Sequence, residues 1–140
     1  PDIVLSTYRD SYDSAVALQQ KIEAFLTAPS AASLQEARAA WLAHREFWGQ
    51  TEVFRFYGGP IDNEETGVEG QINAWPLDES YVDYVEGNPS AGVVNNPSIE
   101  ITTEALLALN EEGGEDNIAT GAHAIEFLLW GQDSNDNGPG

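Results

Sequence analysis

The sequence predicts an all-α protein, an antiparallel helical bundle with one long, irregular crossover loop. Apolar residues recur at three- and four-residue steps over long stretches, which is typical of amphipathic helices. Neither an alternating strand pattern nor a hairpin turn stands out. With 140 residues, of which 41% are hydrophobic, the chain is long enough to bury a core. We therefore expect one helical-bundle domain over residues 1–140.

The first predicted helix covers residues 2 to about 27. Pro29 and Ser30 end it. The residues expected on its buried face are Tyr8, Tyr12, Ala15, Leu18, Ile22 and Phe25.

The second predicted helix begins after Pro29 and reaches about Phe56. Ser33 and Glu36 have the spacing of a capping box, so we expect the helix to start there. The Gly-Gly-Pro sequence at 58–60 ends it. Because the linker between the two helices is short, they are predicted to be antiparallel.

Residues 58–100 are predicted to form a long loop with one short helix, from Leu77 to Val85. This segment holds four of the seven prolines, Pro60, Pro76, Pro89 and Pro97. Long irregular segments in compact domains are usually functional or disordered. Three aromatic residues expected to be buried argue against disorder; they are Trp75, Tyr81 and Tyr84.

Two further helices are predicted after the loop. One covers Thr103 to Glu112, and the next starts at a cap formed by Asp116 or Asn117 and ends at Trp130. The polar residues between 118 and 130 are Thr120, His123 and Glu126. A helix that is apolar almost all round is buried on most sides.

His123 and Glu126 are the first candidates for a functional site. They lie three residues apart, so their side chains are neighbours on one helix face, and Trp130 continues the same stripe. A carboxylate in such an apolar helix needs a partner or a metal ion. Helices in bundles present His and Glu to a metal ion at this spacing. The alternative is a structural pair in which His123 is hydrogen-bonded to Glu126.

The second helix supplies further candidates. A single stripe contains Trp41, Arg45, Trp48 and Glu52, so two charged residues share the face that two tryptophans are expected to bury. We predict that Glu52 joins His123 and Glu126 as a third metal ligand, with Arg45 holding a carboxylate behind the ligands and Trp48 and Trp130 as supporting residues. Alternatively, Arg45 and Glu52 lie at the edge of the stripe and reach water. His44 is expected at the surface.

One imidazole with carboxylates and no sulfur suits iron, zinc or manganese. The chain contains no cysteine. Three protein ligands leave coordination positions open for water or an exchangeable ligand. The same set therefore serves metal capture or water activation, and a cluster with a purely structural role also remains open.

The charge balance excludes several partners. The chain holds 24 acidic and 5 basic residues, and its net charge of −19 repels nucleic acid and anionic membranes. Its sequence has no apolar run long enough for a transmembrane segment. Residues 133–138 match the opening of a calcium loop, although a solvated turn is favoured. Because the chain begins at Pro1 and lacks methionine, we expect a processed product or a fragment.

Three sequence blocks together resemble the imelysin family, which is also classed as imelysin-type peptidases and includes iron-regulated envelope proteins. They are WLAHREFWGQTEVFRFYGGPID at 41–62, INAWPLDESYVDYVEG at 72–87 and GAHAIEFLLWGQD at 121–133. The family hallmark GxHxxE falls on Gly121, His123 and Glu126.

The resemblance implies an exported protein of the periplasm or cell envelope, built from two helical bundles, of which this chain is the first. The remainder would be present as a second bundle or a separate chain. The family implies a role in bacterial iron uptake, so we expect a bound metal ion, iron first and zinc as the alternative, or an iron carrier. Asp78, in the WPLDE turn, is a further candidate acid.

A metallopeptidase is the alternative activity that the family suggests. HExxH enzymes hold a general base between their two histidines, whereas position 124 here is alanine. This difference favours binding over hydrolysis.

Overall fold

The computed structural model describes residues 2–132. Within that range the chain forms α-helices and two short 3-10 helices, with no β-strand, which confirms the predicted all-α class. The α-helices are α1 (Asp2–Thr27), α2 (Ala31–Thr51), α3 (Glu69–Ile72), α4 (Glu79–Val82), α5 (Thr103–Leu109) and α6 (Gly121–Trp130). The 3-10 helices are Glu52–Phe54 and Val93–Asn95. The calcium-loop pattern at 133–138 lies outside the described residues.

The described chain comprises two compact units, residues 2–62 and residues 63–132. The first contains α1 and α2, and the second contains α3 to α6. That the chain is one bundle domain of a two-bundle protein stays a prediction. No helix within 2–132 has both the length and the apolar character needed to cross a bilayer.

The first unit is built on the packing of α1 against α2. Ser14 of α1 contacts His44 of α2 at 2.9 Å. Lys21 comes later in α1 than Ser14, and it forms an ion pair at 2.8 Å with Glu36, which comes earlier in α2 than His44. Contacts that advance in opposite directions along two helices define an antiparallel pair, so this prediction is confirmed. The predicted extent of α1 is also confirmed, although Tyr12 is exposed and Ser11 is buried.

The start of α2 differs from the prediction. Ser30 is the N-cap residue, its hydroxyl accepts a hydrogen bond from the Ser33 N–H at 3.1 Å, and the Ser33 hydroxyl accepts one from the Ser30 N–H at 3.1 Å. The predicted Ser33–Glu36 box is therefore wrong, because a second serine supplies the third helical position of the motif. Glu36 instead pairs with Lys21, an exposed ion pair of small energetic value.

The buried face of α2 is rotated by about one residue from the predicted stripe. Its buried residues alternate four- and three-residue steps; they are Ala37, Trp41, His44, Trp48 and Thr51. This spacing of 3.5 residues per repeat is that of a helix packed along a single partner. The surface position expected for His44 is wrong, because His44 is buried. Glu52 is exposed, which agrees with the alternative that it lies at the edge of the stripe and reaches water.

His44 is held neutral by its surroundings. Burial lowers the pKa of its imidazole, the neighbouring Arg45 charge lowers it further, and a hydrogen bond with the Ser11 backbone opposes both effects. The Ser14 hydroxyl donates to the Ser11 carbonyl at 2.7 Å, so it accepts from Nδ1–H of His44. The ring therefore joins α1 to α2 in its neutral form.

We expect the stability of the chain to fall as pH drops below the 6.5 typical of an unfolded histidine. In this window the unfolded chain binds the His44 proton before the folded chain does, so acid favours unfolding. One proton gives a slope of at most about 1.4 kcal/mol per pH unit. Urea unfolding of wild type and His44→Gln at pH 5–8 tests this, because the carboxylates contribute to both proteins. Parallel stability curves would contradict the prediction.

The second unit replaces the predicted loop with short elements. The predicted helix from Leu77 to Val85 is shorter, Glu79–Val82, and α3 and the 3-10 helix Val93–Asn95 were not anticipated. Val82 forms a core with Ala124 and Phe127 of α6, and Leu77 and Val85 pack against it.

The aromatic residues of this segment behave differently from one another. Tyr81 is half-buried, and its hydroxyl donates to the Leu109 carbonyl at 2.8 Å. Trp75 and Tyr84 are exposed, so the expectation that they are buried is wrong. The core here is formed by Val82 of α4 with Ala124 and Phe127 of α6 rather than by the rings of Trp75 and Tyr84.

The last two helices are shorter than predicted. Helix α5 ends at Leu109, and α6 begins at Gly121 with Thr120 as its N-cap. The cap predicted at Asp116 or Asn117 is wrong. Asn117 instead closes a turn, with its backbone N–H donating to the Gly114 carbonyl at 3.1 Å and its side-chain amide to the Glu112 carbonyl at 2.6 Å.

Candidate functional site

Helix α6 positions the His-Glu pair. Its buried residues are Ala122, Ala124, Phe127 and Leu129. His123 and Glu126 lie between these core positions and are only partly buried. The core contacts fix the rotation of the helix, so the two polar side chains point to a partly open face.

Gly121 sets where this helix begins. Its φ is +85°, a conformation that glycine adopts without strain. A Cβ at this position would lie 2.6 Å from the Ile72 carbonyl oxygen and 2.7 Å from its carbon. The glycine of GxHxxE therefore lets α6 approach the backbone of α3, two residues before His123.

The pair is directly hydrogen-bonded. His123 Nδ1 lies 3.0 Å from Glu126 Oε2, and the two side chains are 15% and 42% exposed. An ionised carboxylate only accepts hydrogen bonds, so Nδ1 bears the proton and Nε2 of the neutral ring is left as the basic nitrogen. Glu126 orients the ring and fixes which nitrogen donates, as carboxylates do behind metal-binding histidines.

Trp75 lies against the imidazole. The two ring centroids are 4.8 Å apart, with the planes tilted by 55°, and Trp75 is 69% exposed. The aromatic ring restricts His123 from a second direction, while its exposure leaves it accessible to a ligand. Sequence reasoning assigned Trp75 only a core role, although its block lies among those that carry the family resemblance.

The candidates from α2 and its continuation lie in the first unit. Trp48 is buried, whereas Arg45 is half-buried with its guanidinium carbon 5.7 Å from the Trp41 ring centroid, a cation–π geometry. Glu52 begins the 3-10 helix that follows α2. Its assignment as a third ligand stays a prediction, and so does that of Arg45 as the partner of a carboxylate behind the ligands.

No group of three or more His, Cys, Asp or Glu side chains in residues 2–132 is arranged to hold a metal ion. Within the second unit, the predicted metal ligands that lie together are His123 and its partner Glu126. A metal ion bound there would take Nε2 from His123 and needs further donors from other residues or from its own ligands.

The remaining candidates have identifiable surroundings. Asp78 is the N-cap of α4, and its carboxylate accepts from the Ser80 N–H at 2.9 Å and hydroxyl at 2.7 Å. Trp130 is the last residue of α6 and is exposed. Ala124 is buried in the core, so the position that carries the base in HExxH enzymes contributes packing only.

These features define a class, an all-α protein with an imidazole–carboxylate pair on a helix that starts at a constrained glycine. The imelysin family model matches residues 4–139, and the chain belongs to the imelysin family. Iron-regulated protein A from Synechococcus elongatus is 40% identical over 76 residues, which is 54% of this chain and 20% of that protein. The chain thus spans about a fifth of the length of the curated relative it matches.

Proposed function

We propose that this chain belongs to an exported envelope protein that binds iron, or zinc as the alternative, for bacterial iron uptake. The observation that supports this most directly is the 3.0 Å contact between His123 Nδ1 and Glu126 Oε2. It leaves Nε2 as a metal-donor atom on a ring held from two sides. Membership of the imelysin family and the similarity to an iron-regulated protein favour iron.

In this proposal His123 contacts the cargo, and Glu126 acts through it. The Nε2 atom points away from the side of the ring that Glu126 occupies, so in this arrangement the carboxylate positions the ring rather than sharing the ion. Glu52 stays a predicted carboxylate donor, and Arg45 stays the predicted partner of a carboxylate behind the ligands. The remaining donors come from the rest of the protein or from a carrier that brings the iron.

The test is metal analysis and iron titration of the full-length protein, wild type against His123→Ala, with a chelator-treated control. We expect stoichiometric metal in the wild type and its loss in the variant. Glu126→Gln retains an acceptor for Nδ1–H and is expected to weaken affinity by about 10- to 100-fold. His44→Gln is the matched control, because it removes the other histidine of residues 1–140 and leaves the pair intact.

Other outcomes would redirect the assignment. Stoichiometric metal that survives His123→Ala, or none in the wild type, would overturn the site and leave the pair with a structural role. Peptidase activity lost on both chelation and His123→Ala would instead support the metallopeptidase that the family suggests. Unchanged unfolding stability on adding iron or zinc would favour a scaffold module, since a bound ligand stabilises the folded state.

A further inference from the structure

A second candidate site lies in the first unit, away from the His-Glu pair in sequence. It is a cavity of about 470 Å³ between the start of α1 and the segment that follows α2. Its apolar and aromatic walls include Val4, Tyr8, Val53, Phe54, Tyr57 and Ile61. This volume and lining are within the range of small-molecule sites in proteins.

Three aromatic residues line the cavity, Tyr8, Phe54 and Tyr57. Tyr8 and Phe54 have ring centroids 6.2 Å apart and planes tilted by 43°, and the largely exposed Tyr57 ring is at the mouth. Ring faces are electron-rich and attract cations, most strongly where water is excluded. Rings inclined to one another offer more than one such face to a single bound group.

Asp62 is the charged side chain of the lining. Its carboxylate accepts hydrogen bonds from the backbone N–H groups of Phe56 and Gly59, the latter at 2.9 Å. Burial raises the pKa of Asp62, but these and neighbouring backbone hydrogen bonds outweigh it and hold the pKa below its usual value. The cavity therefore contains a fixed negative charge at neutral pH.

Tyr8 reports the sign of the charge inside the cavity. Burial raises the pKa of its hydroxyl, the negative charge of Asp62 raises it further, and Arg55 opposes them with a smaller effect. The phenol therefore remains neutral, and the charge of Asp62 affects it more than that of Arg55. Arg55 lies outside the lining, with its guanidinium carbon 5.4 Å from the Phe56 ring centroid.

We propose that this cavity binds an organic cation with an apolar body, an alkyl- or aryl-ammonium group, between the rings of Tyr8, Phe54 and Tyr57 and the carboxylate of Asp62. The cation complements the single charge of the lining, and the apolar body fills the remaining volume. The site is independent of the metal site proposed above, since none of its residues is a proposed metal ligand.

The test uses the full-length protein and two probes of the same shape, phenyltrimethylammonium and its neutral isostere tert-butylbenzene, in ligand-observed NMR titrations. We expect the cation to bind at least about tenfold more tightly than the neutral compound. Asp62→Asn is expected to abolish most of this preference. Because that substitution also removes an acceptor for the 56–59 loop, a second variant is needed.

Tyr57→Leu is that second variant, because it removes a ring face at the exposed mouth and leaves the hydrogen bonds of Asp62 intact. It should weaken the cation by about two- to fivefold and leave the neutral isostere unchanged. Equal binding of the two probes would overturn the proposal and identify a purely apolar cavity. Absence of binding of both probes to the full-length protein would also overturn it.

Discussion

Gly121→Ala is expected to destabilise the chain by about 2–5 kcal/mol. A left-handed backbone costs an L-residue about 1–2 kcal/mol, and overpacking in a tight site adds about 1–3 kcal/mol. Here the added methyl group would lie 2.6 Å from a backbone oxygen, that of Ile72, which no side-chain rotation can relieve. Urea unfolding of the 1–140 chain, followed by tryptophan fluorescence, measures the effect.

Gly49→Ala is the matched control. Gly49 lies in α2, and a Cβ built there has no atom within 4 Å. Alanine is the better helix former by about 1 kcal/mol, so this variant should be slightly more stable than wild type. If Gly121→Ala did not lower the free energy of unfolding, the close approach of α6 to α3 would not be a constraint on the fold.

The Gly121 substitution also bears on the proposed function. His123 follows two residues later on the same helix, so a displaced start of α6 moves the imidazole relative to Trp75. We expect Gly121→Ala to weaken metal binding in the full-length protein even where it remains folded. The glycine is then a positioning residue for His123, which explains why the motif contains it.

The sequence predicted the helices of the first unit well because long helices carry a strong periodic pattern. The rotation of α2 was harder to predict. A spacing of four, three and four residues fits Trp41, Arg45, Trp48 and Glu52 as well as it fits the buried set, and the two tryptophans belong to both. The packing of α1 decides between them. It selects His44, because the Ser14 hydroxyl of α1 forms a hydrogen bond with the His44 ring.

The second unit was harder to predict for a different reason. Helices of four residues, such as α3 and α4, have too few turns to show a period, and contacts distant in sequence stabilise them. The adjacency of His123 and Glu126 was predictable, because helical spacing alone fixes it. The contact of Trp75 with His123 joins residues 48 positions apart, and no local pattern encodes such a contact.

Asn110→Ala is expected to destabilise the second unit by about 2–4 kcal/mol. Asn110 Oδ1 accepts from the backbone N–H groups of Ala119 at 3.0 Å and Thr120 at 3.2 Å, and its Nδ2 donates to the Gly70 carbonyl at 2.9 Å. One half-buried side chain thus connects the end of α5 to the start of α6 and to α3. Alanine leaves three backbone groups without this partner, each costing about 1 kcal/mol or more where water does not replace it.

Two comparisons separate the Asn110 network from a general effect of losing an amide. Asn110→Asp keeps the acceptor next to the positive end of α6 and loses the donor to Gly70, so it should retain most of the stability. Asn96→Ala removes an exposed asparagine whose side chain accepts from the Ser98 N–H at 3.0 Å, and it should cost less than about 1 kcal/mol.

Hydrogen exchange gives the local measurement, since Asn110→Ala should speed exchange at the Ala119 and Thr120 amides. Unchanged exchange there would mean that other contacts hold the start of α6, and that the orientation of His123 does not depend on Asn110.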